Sequence, residues 1–199
     1  MTDPISFRSA TDTTRPGVLV HGTSDIKQPE DYLRLFVSAI TGIDKTLVRG
    51  RWLQKVGTQP SIGTNWCAVG VDRIETWGTP YQHGDKPASA TAPDLSTRTS
   101  WQTLVCTAIF YGSKAHENAD ILRDGLQLSQ NIAELKRFGF VVQSVDDEIR
   151  HLPDLMFEQW VDRYDLTFRL GRSITRTFGI RTITNAEDIE LITERGTIP

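Results

Sequence analysis

The stretch WQTLVCTAIFY, residues 101–111, is apolar apart from threonine and one glutamine. A continuous apolar run of this length is typical of a strand that is covered on both faces in the middle of a sheet. Two more strand-like regions precede it, one over residues 47–54 and one from Asn65 towards Trp77. We therefore predict that residues 101–111 form a central strand, and the other elements are placed around it.

Helical periodicity lies on both sides of these strands. A first helix is predicted from Pro29 to Gly42, because proline favours the first helical turn and glycine the end. Its apolar residues follow at spacing i, i+3, i+4 and i+7, and they are Leu33, Phe36, Val37 and Ile40. After Gly112, Ser113 is the expected N-cap of a second helix, and a third is predicted within residues 129–139. The buried stripe of the second helix would be Ala115, Ala119, Leu122 and Leu126.

The last part of the chain is rich in strand patterns. A short strand is predicted over residues 140–145. Residues 160–174 alternate between two kinds of side chain, which predicts a half-buried antiparallel strand with a charged outer face. The inward set is Trp160, Tyr164, Leu166, Phe168 and Leu170. The outward set is Arg163, Asp165, Thr167 and Arg169.

The order of these elements predicts the fold class. Strands that are grouped, rather than alternating with helices, favour an α+β fold in which an antiparallel sheet is flanked by helices on one face. We expect an N-terminal arm over residues 1–27, one domain over residues 28–178 and a C-terminal extension over residues 179–199. Residues 78–99 are rich in Gly, Pro, Ser and Thr, so we expect a long polar loop or hairpin tip that offers a contact surface.

Composition excludes several classes of function. The formal net charge of -3 gives no basic excess for gripping nucleic acid. No apolar run approaches the ~20 residues that span a bilayer, and the N-terminus has no signal-peptide pattern, so we expect the cytoplasm or the inside of an assembled particle. Cys67 and Cys106 lie in apolar runs, which predicts buried, reduced thiols.

Each candidate catalytic motif lacks a residue or a structural context that its chemistry requires. The segment around His21 resembles the turn before a hydrolase oxyanion hole, but the nearest nucleophile pattern, at Ser173, has no second glycine and follows a strand pattern. Phosphate-binding glycine loops are missing. The acidic residues between Asp146 and Asp154 are expected to form a solvated turn rather than a metal site. We therefore expect no enzyme activity, cofactor or metal.

Tryptophan and arginine residues are the candidates for an interface. Core packing is expected for most of the five tryptophans, while one or two would anchor a subunit contact. The arginines near the last strand are expected to form ion pairs with an acidic neighbouring subunit, in preference to contacting nucleic acid. The predicted interface residues are Arg49, Arg51, Trp52, Trp77, Arg163, Arg169, Arg172 and Arg176.

Several segments, taken in order, resemble the phage neck or tail terminator family. They are LVRGRW at 47–52, GTNWCAVG at 63–70, FYG at 110–112, LRDGLQ at 122–127 and RYDLT at 163–167. The resemblance covers roughly residues 30–180. It implies a sheet flanked by helices and a ring of six copies that caps the tail tube, stops its polymerisation and docks onto the neck or head connector.

The resemblance also implies partners and a location. The expected partners are further copies of the chain, the tail tube protein, a connector or head completion protein, and the tail sheath. DNA would pass through the ring without sequence-specific binding. The protein would be a virion component that is assembled in the host cytoplasm. An adaptor or completion protein on the portal side of the neck remains the alternative, and a small hydrolase built around His21 is a third.

Overall fold

The computed structural model describes residues 7–8, 18–19, 28–52, 58–85, 94–156 and 158–180. Three helices are present in this part of the chain: α1 (Pro29–Thr41), α2 (Ala115–Gln127) and α3 (Ser129–Arg137). The strands are β1 (Phe7–Arg8), β2 (Val18–Leu19), β3 (Val48–Gly50), β4 (Trp66–Asp85), β5 (Asp94–Tyr111), β6 (Phe140–Val145), β7 (Arg150–His151), β8 (Asp154–Met156), β9 (Gln159–Val161) and β10 (Arg163–Ile180). No described helix is both long and apolar enough to cross a membrane.

The main sheet has the strand order β3-β4-β5-β10-β6, and β7 pairs with β10. The predicted central strand is confirmed, since β5 lies in the middle of this order. The sheet is mixed rather than wholly antiparallel, because β3 runs parallel to β4 while β6 and β7 run antiparallel to β10. Parallel neighbours need a long connection, and residues 51–65 supply one between β3 and β4.

The three helices cover one face of this sheet. Alternate residues of β5, from Leu104 to Phe110, point into this layer, because side chains of a strand alternate between faces. The predicted helical stripes are confirmed: Leu33 and Val37 of α1 and four residues of α2 are buried in the same core. Each fully buried leucine contributes roughly 1.5–3 kcal/mol by leaving water. The α+β class is therefore confirmed.

Two glycines and one extended residue shape the helical layer. Gly42 ends α1 in the left-handed region, at φ 72°, with its N–H bonded to the Ser38 carbonyl oxygen. Leu128 is extended and separates α2 from α3, as the sequence predicted. Gly125 of α2 lies so close to α1 that an added Cβ would come within 2.4 Å of Ile40. A side chain at this position would therefore force the two helices apart.

The opposite face of the sheet carries a smaller apolar cluster. Ile109 and Tyr111 of β5 pack there with Ala68 of β4 and Val161 of β9. Trp66 stacks on Tyr111 with ring centroids 4.3 Å apart. The hairpin of β8 and β9 thus covers part of this face, which agrees with a central strand covered on both sides.

The region from residue 78 to residue 99 differs from the predicted loop. Strand β4 continues to Asp85 and β5 begins at Asp94, so only residues 86–93 lie between them, outside the described residues. The side chains of Gln82 and Ser96 are hydrogen-bonded at 2.9 Å, which ties the two strands together. The glycine and proline residues of this region favoured a loop prediction. The strands were missed because polar strands that are exposed on both faces lack the alternation of apolar and polar residues that indicates a strand.

Two predictions at strand and helix ends are wrong. Trp160 does not share a strand with Leu166 and Phe168: it belongs to β9, and Asp162 separates β9 from β10. Ser113 is not the cap of α2. Instead, the side-chain oxygen of Asn65 accepts the N–H of Lys114 at 2.8 Å, so the cap comes from a segment distant in sequence.

The chain divides into two compact units. One consists of Asp25–Pro80 and Ser100–Ile174, and it contains the helices and the apolar core. The other consists of Met1–Ser24, Tyr81–Thr99 and Thr175–Pro199. Within the second unit, β1 pairs in parallel with β2, and the hydroxyls of Thr99 and Thr175 lie 3.1 Å apart. Most of the predicted N-terminal arm, and residues 181–199 of the predicted extension, lie outside the described residues.

Candidate interaction surfaces

An apolar groove of about 620 Å³ opens between the three helices. Its large exposed side chains are Leu35, Ile121, Leu128 and Phe138. They lie outside the stripes that face the sheet, so the helical layer is apolar on both of its sides. A contiguous apolar surface of this kind is typical of a contact site. We call it the helical groove.

Charged residues of both signs border the helical groove. Asp124 and Glu134 are part of its lining, and Glu134 accepts a hydrogen bond from Arg137 at 3.0 Å. Lys45 lies beside Leu35 in an adjoining depression, and Lys136 is exposed at the end of α3. Neither lysine has an ion-pair partner among the described residues. The groove therefore has an apolar floor and two acidic residues that are each paired with an arginine, Asp124 with Arg123 and Glu134 with Arg137. The two lysines lie near the groove but outside its lining.

The hairpin of β8 and β9 presents a second apolar surface, on the other side of the sheet. Leu155 and Trp160 are directly opposite each other in the strand register, and they are 57% and 74% exposed. Met156 and Val161 point the other way and pack on the cluster around Trp66. We call the outward pair Leu155–Trp160 the hairpin knob. A tryptophan this exposed is a candidate for an interface anchor.

Two of the predicted interface arginines lie in ion pairs within the same chain. Arg51 pairs with Asp72, whose second oxygen accepts the hydroxyl of Thr107 at 2.6 Å. Arg163 makes a two-pronged bond to Asp165, with distances of 2.8 and 2.6 Å. This hydrogen bond raises the pKa of Arg163 above its ordinary value. Both guanidinium groups are thus largely satisfied inside the chain.

The other four predicted arginines lie at separate places. Arg49 is half-buried and donates to the Thr58 carbonyl oxygen at 2.6 Å. Arg172 donates to the side chain of Gln102 at 3.1 Å. Arg169 is exposed on β10 opposite Ser144, while Arg176 is half-buried in the other compact unit. The structure does not bring the arginines together into one basic patch.

The tryptophans correct the expectation of core packing. None of the five is fully buried, although all belong to the described residues. Trp52 is exposed next to Arg51, whose guanidinium lies 5.0 Å from its ring centroid. Trp77 is exposed, with its ring centroid 6.1 Å from that of Trp101. Smaller residues of β4 and β5 fill the main core, while Trp66 is half-buried against the smaller cluster on the opposite face.

The helical groove was missed in the sequence. Leu35 breaks the buried stripe of α1, and Leu128 and Phe138 flank α3, so each counted as an isolated apolar residue. Leu155 was missed for the same reason. Apolar residues outside a helical stripe are a weak signal, because isolated exposed apolar residues are common on protein surfaces.

The residues considered for catalysis do not form a site among the described residues. Ser173 is an exposed residue within β10, not on a turn between a strand and a helix. Burial raises the pKa of the Cys106 thiol to about 12 and also raises that of Cys67. No group of three or more His, Cys, Asp or Glu residues in the described ranges could hold a metal ion. His21 lies outside those ranges.

Most of the chain, including both surfaces, matches one protein family. The family model described as phage neck terminator protein matches residues 30–197. The chain belongs to the phage neck terminator family. The predicted resemblance is confirmed, and the match extends beyond residue 180 into the C-terminal segment. A comparison with curated proteins finds no match.

Membership of the phage neck terminator family places the chain among structural proteins of the virion. A protein of the phage neck interacts with other proteins of the tail or head. The match begins at Glu30, in the first turn of α1, so it includes the elements that build the helical groove and the hairpin knob. Contact surfaces, rather than reacting groups, are what such a protein needs.

Proposed function

We propose that the chain forms a closed ring that caps the tail tube, stops its polymerisation and joins the tail to the neck or head connector. The observation that carries this proposal is the pair of unlike apolar surfaces on one compact unit. The helical groove lies on the helix side of the sheet, and the hairpin knob lies on the other. A ring whose subunits contact head to tail requires two different patches on each copy.

The interface residues predicted from the sequence divide into two roles in this proposal. Trp52, Trp77 and Arg169 are exposed and would contact neighbouring proteins. Arg51 and Arg163, which are engaged with Asp72 and Asp165, would hold the sheet surface in shape. We assign the remaining arginines, Arg49, Arg172 and Arg176, to secondary contacts at the margins.

The strands that extend towards residues 85 and 94 would reach the axial partners. Tyr81 is exposed there, and Arg98 adds a positive charge. With the terminal arms at residues 1–27 and 179–199, they would contact the tube protein on one side and the connector, completion protein or sheath on the other. DNA would pass through the ring without being gripped, in keeping with the net charge of -3. Assembly would take place in the host cytoplasm.

The proposal is tested with phage that lack the protein. We expect negative-stain images of such lysates to show headless tails of uncontrolled length, and the wild-type chain supplied in trans to restore joined particles. Mass photometry of the protein released from tails should show a single closed oligomer. Tails of normal length that lack only heads would instead indicate an adaptor on the portal side, and would overturn the capping role.

A further inference from the structure

The hairpin knob has its apolar side outward. Leu155 and Trp160 face each other across the strand pair, while their neighbours Met156 and Val161 are anchored against Trp66 and Tyr111. Turning the knob inward would need a one-residue slip of the register, which would expose the anchored side chains instead. The knob therefore presents its apolar side to solvent in the isolated chain.

The helical groove has the size and lining that such a knob needs. Its volume of about 620 Å³ lies in the range of roughly 300–1,000 Å³ that is usual for binding clefts. Gly125 and Ile40 form its closely packed floor, and Leu128 and Phe138 stand at its edges. This volume is large enough for the side chains of one tryptophan and one leucine.

A negative charge lies beside the hairpin knob, and two positive charges lie near the helical groove. Glu158 is exposed at the turn of the hairpin and has no ion pair among the described residues. Lys45, in the depression beside the groove, and Lys136, at the end of α3, also lack one within the described part of the chain. The acids of the groove itself, Asp124 and Glu134, are paired with Arg123 and Arg137. Opposite charges at the rim of an interface orient the partners and speed their encounter.

We infer that the hairpin knob of one copy inserts into the helical groove of the next copy, and this inference rests on the proposed ring. One chain cannot make the contact with itself, because the knob and the groove lie on opposite sides of the same sheet. A second copy supplies both the apolar shape and the matching charge. The contact is head to tail, so repeating it generates a closed ring or an open filament, depending on the rotation between copies.

Disulfide trapping between two full-length variants tests the contact. Leu155→Cys and Leu128→Cys are prepared separately, mixed and oxidised. The native thiols of Cys67 and Cys106 are buried and should not form crosslinks. We expect the mixture to give a crosslinked dimer at least ten times more abundant than either variant alone. The matched control replaces Leu128→Cys with Val141→Cys, which is exposed on β6 away from the groove. Equal crosslinking in the two mixtures would overturn the contact.

Side-chain variants in the same trapping experiment test the anchor and the charges. Trp160→Asp should reduce crosslinking at least ten-fold, while Trp160→Phe should retain most of it. Glu158→Lys should reduce it several-fold, and pairing that variant with Lys45→Glu and Lys136→Glu in the groove copy should restore it. All these side chains are exposed, so melting temperatures should stay within a degree or two. Undiminished trapping with Trp160→Asp would contradict the role of the knob.

The same experiment separates this contact from the ring itself. A chain that carries both Leu155→Cys and Leu128→Cys should give a crosslinked product of one finite mass. A ladder without an upper limit would support the contact but contradict ring closure. A closed ring of the wild-type chain in mass photometry, together with no trapping above the control, would leave the ring intact and overturn the contact.

Discussion

Gly112 shows the effect of one backbone conformation on the junction between β5 and α2. Its φ of 100° is unfavourable for a side chain, and an added Cβ would lie 2.5 Å from the Asn65 side-chain oxygen and 2.8 Å from the Thr64 carbonyl oxygen. We predict that Gly112→Ala lowers the free energy of unfolding by roughly 3 kcal/mol. Gly42→Ala, also at positive φ but with open space around it, should cost only ~1–2 kcal/mol. Urea denaturation measures both, and equal losses would contradict the steric argument.

The two buried thiols make stability depend on alkaline pH. Burial raises the pKa of Cys106 to about 12, and that of Cys67 also rises, from an ordinary value of 9.0. Above pH 9 the unfolded chain therefore loses these protons before the folded chain does, and stability falls as pH rises. Each thiol should contribute a slope of up to ~1.4 kcal/mol per pH unit.

Urea titrations at pH 8, 9 and 10 test this dependence. The Cys67→Ala, Cys106→Ala double variant is the control, and its stability should fall less steeply between pH 9 and pH 10. Parallel curves for the two proteins would show that the thiols do not ionise on unfolding in this range. They would then contribute to the core only through their size.

At the scale of elements, the start of α2 depends on a distant residue. Asn65, just before β4, accepts the N–H of Lys114, whereas Ser113 makes no capping bond. We predict that Asn65→Ala lowers the free energy of unfolding by ~1 kcal/mol, as is usual for the loss of a cap. Ser113→Ala should change it by less than ~0.5 kcal/mol. Chemical denaturation of both variants decides the point, and the reverse order would restore the cap expected from the sequence.

The long strand pair of β4 and β5 should serve assembly more than folding. In the main core cluster, no described residue lies between Val71, which is partly buried at its border, and Leu104. Replacing residues 83–95 by Asn-Gly, a favoured hairpin turn, would join Gln82 to Ser96. We expect the melting temperature to change by only a few degrees and complementation of tail joining to be lost. A same-length variant with residues 86–93 replaced by Gly and Ser is the control, and full activity of the shortened chain would contradict the prediction.

At the scale of the whole molecule, the C-terminal segment should act in docking. The last buried hydrophobic residue in the described part of the chain is Ile174, yet the family match continues to residue 197. We predict that a chain truncated after Ile180 still folds, with a melting temperature close to that of the full chain, but does not support tail joining. Circular dichroism and complementation measure the two properties. A truncated chain with full activity in tail joining would contradict this prediction.

Most of the fold could be predicted because local patterns and tertiary burial agree there. Leu33 and Val37 follow helical spacing and are buried, and Phe168 and Leu170 follow strand alternation and are buried. Trp160 was misplaced because its alternation with Leu166 and Phe168 continues across Asp162, where the strand is interrupted. The alternation of apolar and polar residues alone does not reveal such an interruption of a strand.

The sequence by itself determined the α+β class, the central strand at 101–111, the three helices and the family, because each depends on periodicity or on ordered motifs. Only the tertiary structure decided where the contact surfaces lie. Leu35, Leu128 and Phe138 are far apart in sequence and meet because three helices pack side by side. Leu155 and Trp160 become a pair only through strand register. A surface is a property of packed neighbours, and spacing along one element cannot encode it.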